Sequence, residues 1–173
     1  MGGIVAVNRE NALVENVRSL AAITALEGND RASGGLVGYN EGRVRASVSL
    51  GTVYSRGTAG GFVGVNALTG TVMNSLSFTD VEYADFSGDT GIFAAENDGL
   101  MQGCAYDAAN SCKKENIDVG RITVSGVAEK SESAILARDH ILYELGFEDS
   151  TWQITDGKMP TLHFETLYFD ALN

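Results

Sequence analysis

A short phrase of glycines, apolar residues and a closing asparagine recurs along the chain. Its copies are Gly2-Gly3-Ile4-Val5-Ala6-Val7-Asn8, Gly34-Gly35-Leu36-Val37-Gly38-Tyr39-Asn40 and Gly60-Gly61-Phe62-Val63-Gly64-Val65-Asn66, with a worn form at Gly91-Ile92-Phe93-Ala94-Ala95-Glu96-Asn97. A second apolar position follows each phrase, at Val14, Val44, Val72 and Met101, and these anchors recur at a nearly constant interval. A third, at Ile23, Val53 and Val81, lies at one fixed offset beyond its anchor. The asparagines are less evenly spaced than the anchors, so length varies between phrase and anchor, and the fourth copy loses register after Tyr106. Self-similarity of this kind marks a repeat architecture, in which each unit buries its apolar face only against its neighbours.

The apolar runs are short, β-branched and separated by turn-formers, as in Leu36-Val37, Val44 and Val48-Ser49-Leu50, and no copy carries a helical period. The fold class expected is mostly β: a parallel β-solenoid of about four coils, each with about three short strands, stacked at roughly 4.8 Å. Leu36, Phe62 and Phe93 are expected to stack inside, with Ile4 starting the column. Gly35, Gly61, Gly38 and Gly64, with Ala6 and Ala95, are expected to give clearance at bends. Asn8, Asn40, Asn66 and Asn97 are expected to form an amide ladder along one corner. Asn40-Glu41-Gly42 and Asn97-Asp98-Gly99 read as turns, since Asn and Gly tolerate positive φ.

The texture changes near residue 110: 17 of the 21 glycines precede Cys104. Residues 1–112 read as the solenoid and 113–173 as a small α+β cap belonging to the same structural unit. Within the cap, Lys113–Asn116 reads as loop, and Ile117–Val119 and Arg121–Val124 as strand. A helix is expected over 131–145, with Ser131 as N-cap and Gly146 as its stop. Trp152-Gln153-Ile154, the Asp156-Gly157 turn and Pro160-Thr161-Leu162 follow as strand, hairpin-type turn and extended segment. A helix and Trp152 packed over the last coil would close an otherwise open solenoid end.

Charge and chemistry narrow the function classes. The net charge of −11 and sequence pI near 4.5 argue against nucleic acid or an anionic membrane as partner, because both need a basic face. No apolar run reaches the roughly 18 residues that span a bilayer. The chain opens on a glycine phrase, with no secretory leader in view. It therefore reads as a piece of a larger protein whose targeting signal lies elsewhere. Cys104 and Cys112 either close a small disulfide loop or remain unpaired thiols. Without a nearby histidine pair they do not make a zinc site. The acidic stretch Phe78 to Asp89 (Asp80, Glu82, Asp85, Asp89) has the oxygen ligands calcium prefers but not EF-hand spacing, and a solvated loop is the simpler reading. Ser131, Ser133, Asp139 and His140 offer the residue types of a nucleophile relay, but they sit too close along one helix to converge. Asp80, Glu82, Asp85 and Glu96 are the carboxylates for a glycan-active site. Tyr39, Tyr54 and Tyr83 are the candidates to stack on a sugar. No catalytic residue, metal or cofactor is therefore expected.

Gly35-Leu36-Val37-Gly38 resembles the GLUG motif of bacterial secreted and surface proteins. The longer pattern from Gly34 to Val53 is similar to the full repeat: Gly-Gly-Leu-Val-Gly-Tyr-Asn, a glycine turn, then Ser-Val-Ser-x-Gly-x-Val. Such repeats occur in streptococcal-type zinc metallopeptidases that cleave immunoglobulin A and in adhesin-like proteins. The segment from Leu145-Gly146-Phe147 to Pro160-Thr161-Leu162 also resembles the piece that closes these regions. The fourth copy departs, with Ile92 in place of a glycine and Glu96 where Tyr39 would stand. The resemblance implies a non-catalytic module of a large secreted or wall-attached protein, serving as spacer and interaction surface. Its partners would be neighbouring domains of the parent chain, and host protein or glycan. Peptidase activity does not carry over, because the family's His-Glu-x-x-His motif is absent.

Overall fold

The computed structural model describes residues 1–26, 32–83, 88–110 and 127–164. The chain winds as a parallel β-solenoid, because its apolar runs are too short to bury a face alone but stack in register. One sheet holds Val5–Asn8, Val37–Asn40, Val63–Asn66 and Ala94–Asn97, with Asn8, Asn40, Asn66 and Asn97 directly opposite one another. A second holds the anchors, in Leu13–Glu15, Arg43–Arg45, Thr71–Met73 and Leu100–Gln102. The third, longest sheet runs from Arg18–Ser19 and Ala22–Ala25 through Val48–Ser55, Leu76–Tyr83 and Cys104–Asp107 to Val127–Lys130. A narrow corner sheet joins Ser33–Gly34, Ala59–Gly60 and Thr90–Gly91. Four stacked strands enclose three complete windings, so the solenoid has about three turns rather than four.

The interior follows the repeat. Leu36, Phe62 and Phe93 are fully buried, and the two phenylalanine rings stack at 4.8 Å, the spacing of neighbouring coils. Ile4 does not complete the column: it is 47% exposed at the first coil, where no described strand lies beyond it. Glycine is required where strands cross at a bend. A Cβ on Gly64 would lie 2.7 Å from Ser33 O, and one on Gly34 2.0 Å from Val37 O.

Two polar columns knit the coils. The side-chain amide of Asn8 donates to Asn40 Oδ1, Asn40 to Asn66 and Asn66 to Asn97, each at 2.7 Å, and all four residues are buried. The same amides reach Arg43 O, Thr71 O and Leu100 O at 3.2–3.5 Å, tying this corner to the anchor strands. These asparagines are not among the residues of positive φ; the left-handed corner lies two residues after each anchor, at Asn16, Ala46, Asn74 and Gly103. One residue on, Ser47 and Ser75 hydroxyls donate to the carbonyls of Arg45 and Met73 at 2.8 Å. Cys104 occupies the same place in the fourth repeat, its thiol pointing to Gln102 O at 3.5 Å and Val72 O at 3.7 Å. It is a buried free thiol, and burial above all pushes its pKa up to about 12. Cys112, the strands expected at 117–119 and 121–124, Asp85 and the boundary near 112 lie outside the described residues.

The C-terminal segment corrects two expectations. The helix over 131–145 is broken into a short helix, Glu132–Ile135, capped by the Ser131 hydroxyl, and a π-helical segment, His140–Glu144. The cause is the Asp156-Gly157 turn, whose Gly157 N–H takes Leu136 O (3.0 Å) while Asp156 Oδ1 takes the Arg138 N–H (3.0 Å). The turn thus satisfies at mid-segment the groups that a continuous helix would pair internally. Gly146, at φ +66°, ends the segment as expected, and Trp152–Gln153 pairs antiparallel with Thr161–Leu162. The segment also does not sit over the last coil. Ile135, Ile141, Leu145, Phe147, Trp152 and Leu162 pack on Val48, Leu76 and Ala105 of three successive coils, along the flank of the solenoid. Fully buried Trp152 donates from Nε1 to Asn16 Oδ1 (3.0 Å) in the first repeat, while the chain entering the segment, Val127–Lys130, pairs with Cys104–Asp107. It is a strap across the coils.

Replacing Asn40 with Ala removes two ladder bonds, leaving Asn8 without its amide acceptor and Asn66 without its amide donor. Urea unfolding is expected to show a loss of about 2–3 kcal/mol, and a loss under about 0.5 kcal/mol would contradict the ladder's role. Cys104→Ser restores the hydroxyl of the column and is expected to change stability by less than about 1 kcal/mol. On a Cys112→Ser background, Cys104 should resist thiol reagents at pH 8 until the chain is unfolded.

Candidate functional site

A broad concavity lies over the sheet that carries the asparagines. It is an open groove of about 850 Å³, and its lining includes Ala6, Val7, Tyr39, Val65 and Glu96. Register dictates this lining: Val7, Tyr39, Val65 and Glu96 stand opposite one another in successive strands, one per coil. Met1, Ala32 and Thr58, which precede the corner strands, flank the groove, as do Glu41, Ala67-Leu68-Thr69 and Asp98, which follow the asparagines. The groove therefore presents one aromatic ring, an apolar strip and three carboxylates.

Glu96 and Asp98 share one coil, and Glu41 lies two coils away from them. Glu41 is held by Arg9 at 3.2 Å, and the Thr58 hydroxyl reaches Glu96 at 3.5 Å. The hydroxyl of Thr69 is committed to Glu41 O at 2.9 Å. Among the described residues, no three His, Cys, Asp or Glu side chains come together in a metal-binding group. The groove can stack a ring on Tyr39 and accept hydrogen bonds from hydroxyl or ammonium groups along Glu41, Glu96 and Asp98.

The repeat positions serve the frame and not this lining. Gly35, Gly38, Gly61 and Gly64 lie where a Cβ would collide with neighbouring backbone, Leu36 and Phe62 fill the interior, and Asn40 and Asn66 belong to the ladder. Of the three tyrosines expected as ligand contacts, Tyr39 is the one that lines the groove among the described residues. Tyr54 lies on the long sheet, between Thr24 and Glu82 in register, and Tyr83 ends the neighbouring strand, its side chain outside the described residues. The carboxylates expected as a set divide likewise: Asp80 and Glu82 are on the long sheet, Glu96 in the groove. Sequence reading missed Glu41 and Asp98 as groove residues. Their signal was position, one residue after a ladder asparagine.

The relay residues do not converge. The Ser131 hydroxyl accepts from Ala134 N–H and lies 3.1 Å from that of Ser133. His140, buried, turns Nδ1 to Glu144 at 2.8 Å and to Lys130 Nζ at 3.3 Å, and His163 Nε2 meets Asp149 O at 2.8 Å. Hydrogen bonds from His140 first, then Lys130, hold the Glu144 carboxyl below its ordinary 4.5. A carboxyl whose folded pKa is depressed favours the fold above its unfolded pKa, and this favour is lost as pH falls through the folded value. NMR titration should place the Glu144 midpoint below that of an unstructured glutamate, and Lys130→Met should move it up. An unchanged midpoint would show that Lys130 does not act on it.

No protein-family model matches the chain, and no curated protein matches it in sequence. Among solved structures, the fold is similar to that of a "putative immunoglobulin A1 protease" from Bacteroides ovatus, with a TM-score of 0.66 at 15% sequence identity. The similarity covers 92% of this chain and 54% of that one, so this chain spans about half the length of the protein it matches. At such identity the likeness shows the fold alone: a mostly β, parallel solenoid of about three turns with few helices.

Proposed function

We propose that this chain is a non-catalytic repeat module of a large bacterial secreted or cell-surface protein, built from four copies of a GLUG-type unit. In this reading the parent is an immunoglobulin A peptidase-like protein or an adhesin, and the module is a structural spacer with a protein-interaction surface. One observation carries it: the recurring phrase is spent on stacking. The glycines give clearance, Leu36, Phe62 and Phe93 fill the interior, and the asparagine amides bond one another. The solved structure of similar fold supports a place within a longer protein, since the likeness takes in only about half of that chain. Neighbouring domains of the parent chain are the primary partners. Nucleic acid is disfavoured by the charge of −11, and no helix among the described residues is long and apolar enough to cross a membrane.

A second reading rests on the groove. Tyr39 beside Glu41, Glu96 and Asp98 suits a hydroxyl-rich ligand such as a host glycan or glycoprotein. Aromatic faces stack on sugar rings, and carboxylates accept their hydroxyls. The purified chain, applied to a glycan array and to immobilised immunoglobulin A, is expected to give no saturable signal at high micromolar concentration and no cleavage of immunoglobulin A. A sugar that binds, and whose affinity falls about tenfold or more in Tyr39→Ala, would replace the spacer reading with the second. Cleavage would overturn both.

A further inference from the structure

The turns that follow the ladder asparagines differ in length. In the second and fourth repeats two residues separate the asparagine from the next strand, Glu41-Gly42 and Asp98-Gly99. In the third repeat four do, Ala67-Leu68-Thr69-Gly70. The longer turn carries Leu68, 78% exposed, and Leu68 lines the groove together with the carboxylates of the turns on either side of it. Along the stack the groove thus has three stations: Tyr39 and Glu41, then Val65 and Leu68, then Glu96 and Asp98.

The donor inventory points to the ligand. Among the described residues that line the groove there is no lysine or arginine. The hydroxyls of Thr58 and Thr69 already donate, to Glu96 and to Glu41 O. The groove therefore offers acceptors and apolar contact, with the Tyr39 hydroxyl as its remaining side-chain donor. A sugar hydroxyl donates and accepts, whereas ammonium and guanidinium groups only donate. Cations also sit over aromatic faces, and a chain charge of −11 attracts them at long range. We propose that the groove binds an extended peptide segment of another protein in which two lysines or arginines flank an apolar residue, in the order basic–x–apolar–x–basic. One basic side chain lies on Tyr39 and Glu41, the apolar one on Val65 and Leu68, and the second basic one on Glu96 and Asp98. The outer stations are two coils apart, roughly 10 Å. Alternate residues of an extended chain share one face at intervals of about 7 Å, so the long outer side chains lean inward to both. The Arg9–Glu41 pair, with Arg9 exposed, holds Glu41 only weakly against a ligand cation. This partner chemistry belongs to the interaction surface of the spacer reading and rests on that reading.

NMR titration of the full chain with the capped peptide Ser-Lys-Ser-Leu-Ser-Lys-Ser tests this. Saturable shifts are expected at the Val65 and Leu68 methyls of the unmodified chain, and no saturable shifts with glutamates in place of the two lysines. Asp98→Lys should weaken binding by at least about tenfold, with an unchanged circular dichroism spectrum. Asp139→Lys changes the net charge equally, outside the groove lining, and should leave affinity within about a factor of two. Absence of saturable shifts with the lysine peptide would overturn the proposal. So would equal weakening by the two variants, which would mean general charge attraction. Saturable groove shifts with N-acetyllactosamine and none with the peptide would overturn it in favour of the glycan reading. A chain that bound no peptide would still stand as a spacer module, whereas cleavage of immunoglobulin A would remove that reading whether or not the peptide bound.

Discussion

Every coil of this protein depends on its neighbour for hydrogen bonds that it cannot make alone. The strands are short, and most of their backbone partners lie a full coil away along the chain. Buried polar side chains obey the same constraint. Four buried asparagines pass side-chain hydrogen bonds from coil to coil, and Ser47 and Ser75 tie back to their own chain beside them. Each such bond contributes on the order of 1 kcal/mol, but an orphaned buried amide costs more. The columns therefore act chiefly against misregister: a slip by one residue would place Asn40 against Val7 or Arg9 instead of Asn8 and break several bonds at once.

The same dependence makes the ends of the stack the places where chemistry is unfinished. The amide of Asn97, last in the ladder, has no partner among the described residues. Val127–Lys130 supplies one sheet with a further strand at that end. The flank strap links the coils differently, bringing the Trp152 indole to Asn16 and its apolar residues onto Val48, Leu76 and Ala105. Its bond to Asn16 falls on the left-handed corner, away from the asparagine ladder.

A frame whose repeated residues are consumed by stacking leaves function to the positions that vary. The column Val7, Tyr39, Val65, Glu96 is the plainest case, since valine, tyrosine and glutamate alternate in one structural place. The groove above them owes its shape to the frame and its chemistry to those substitutions. Glu41 lies two coils from Glu96 and Asp98, so the carboxylates are strung along the stack. That suits an elongated ligand better than a reacting atom that needs two groups at one point.

The sequence by itself determined the repeat, its β character and the partners in the ladder, because the recurrence of the phrase leaves each asparagine only its own kind as neighbour in the next coil. It also determined the interior phenylalanine pair, which follows from the same recurrence. The stop at Gly146 and the Asp156-Gly157 turn follow from local backbone preference. Tertiary structure alone decided the rest. The left-handed corner column was hidden because Ala46 interrupts Asn16, Asn74 and Gly103 with a residue that gives no turn signal. The break between Ile135 and His140 depends on a turn well downstream in the chain that takes over two backbone groups. The path of the strap along the flank depends on Val48, Leu76 and Ala105, from different coils, forming one apolar column. Tyr39 and Tyr54 look alike in the sequence, yet only the winding places one in the groove and the other on the long sheet, since which face a side chain lines is fixed by how successive coils stack.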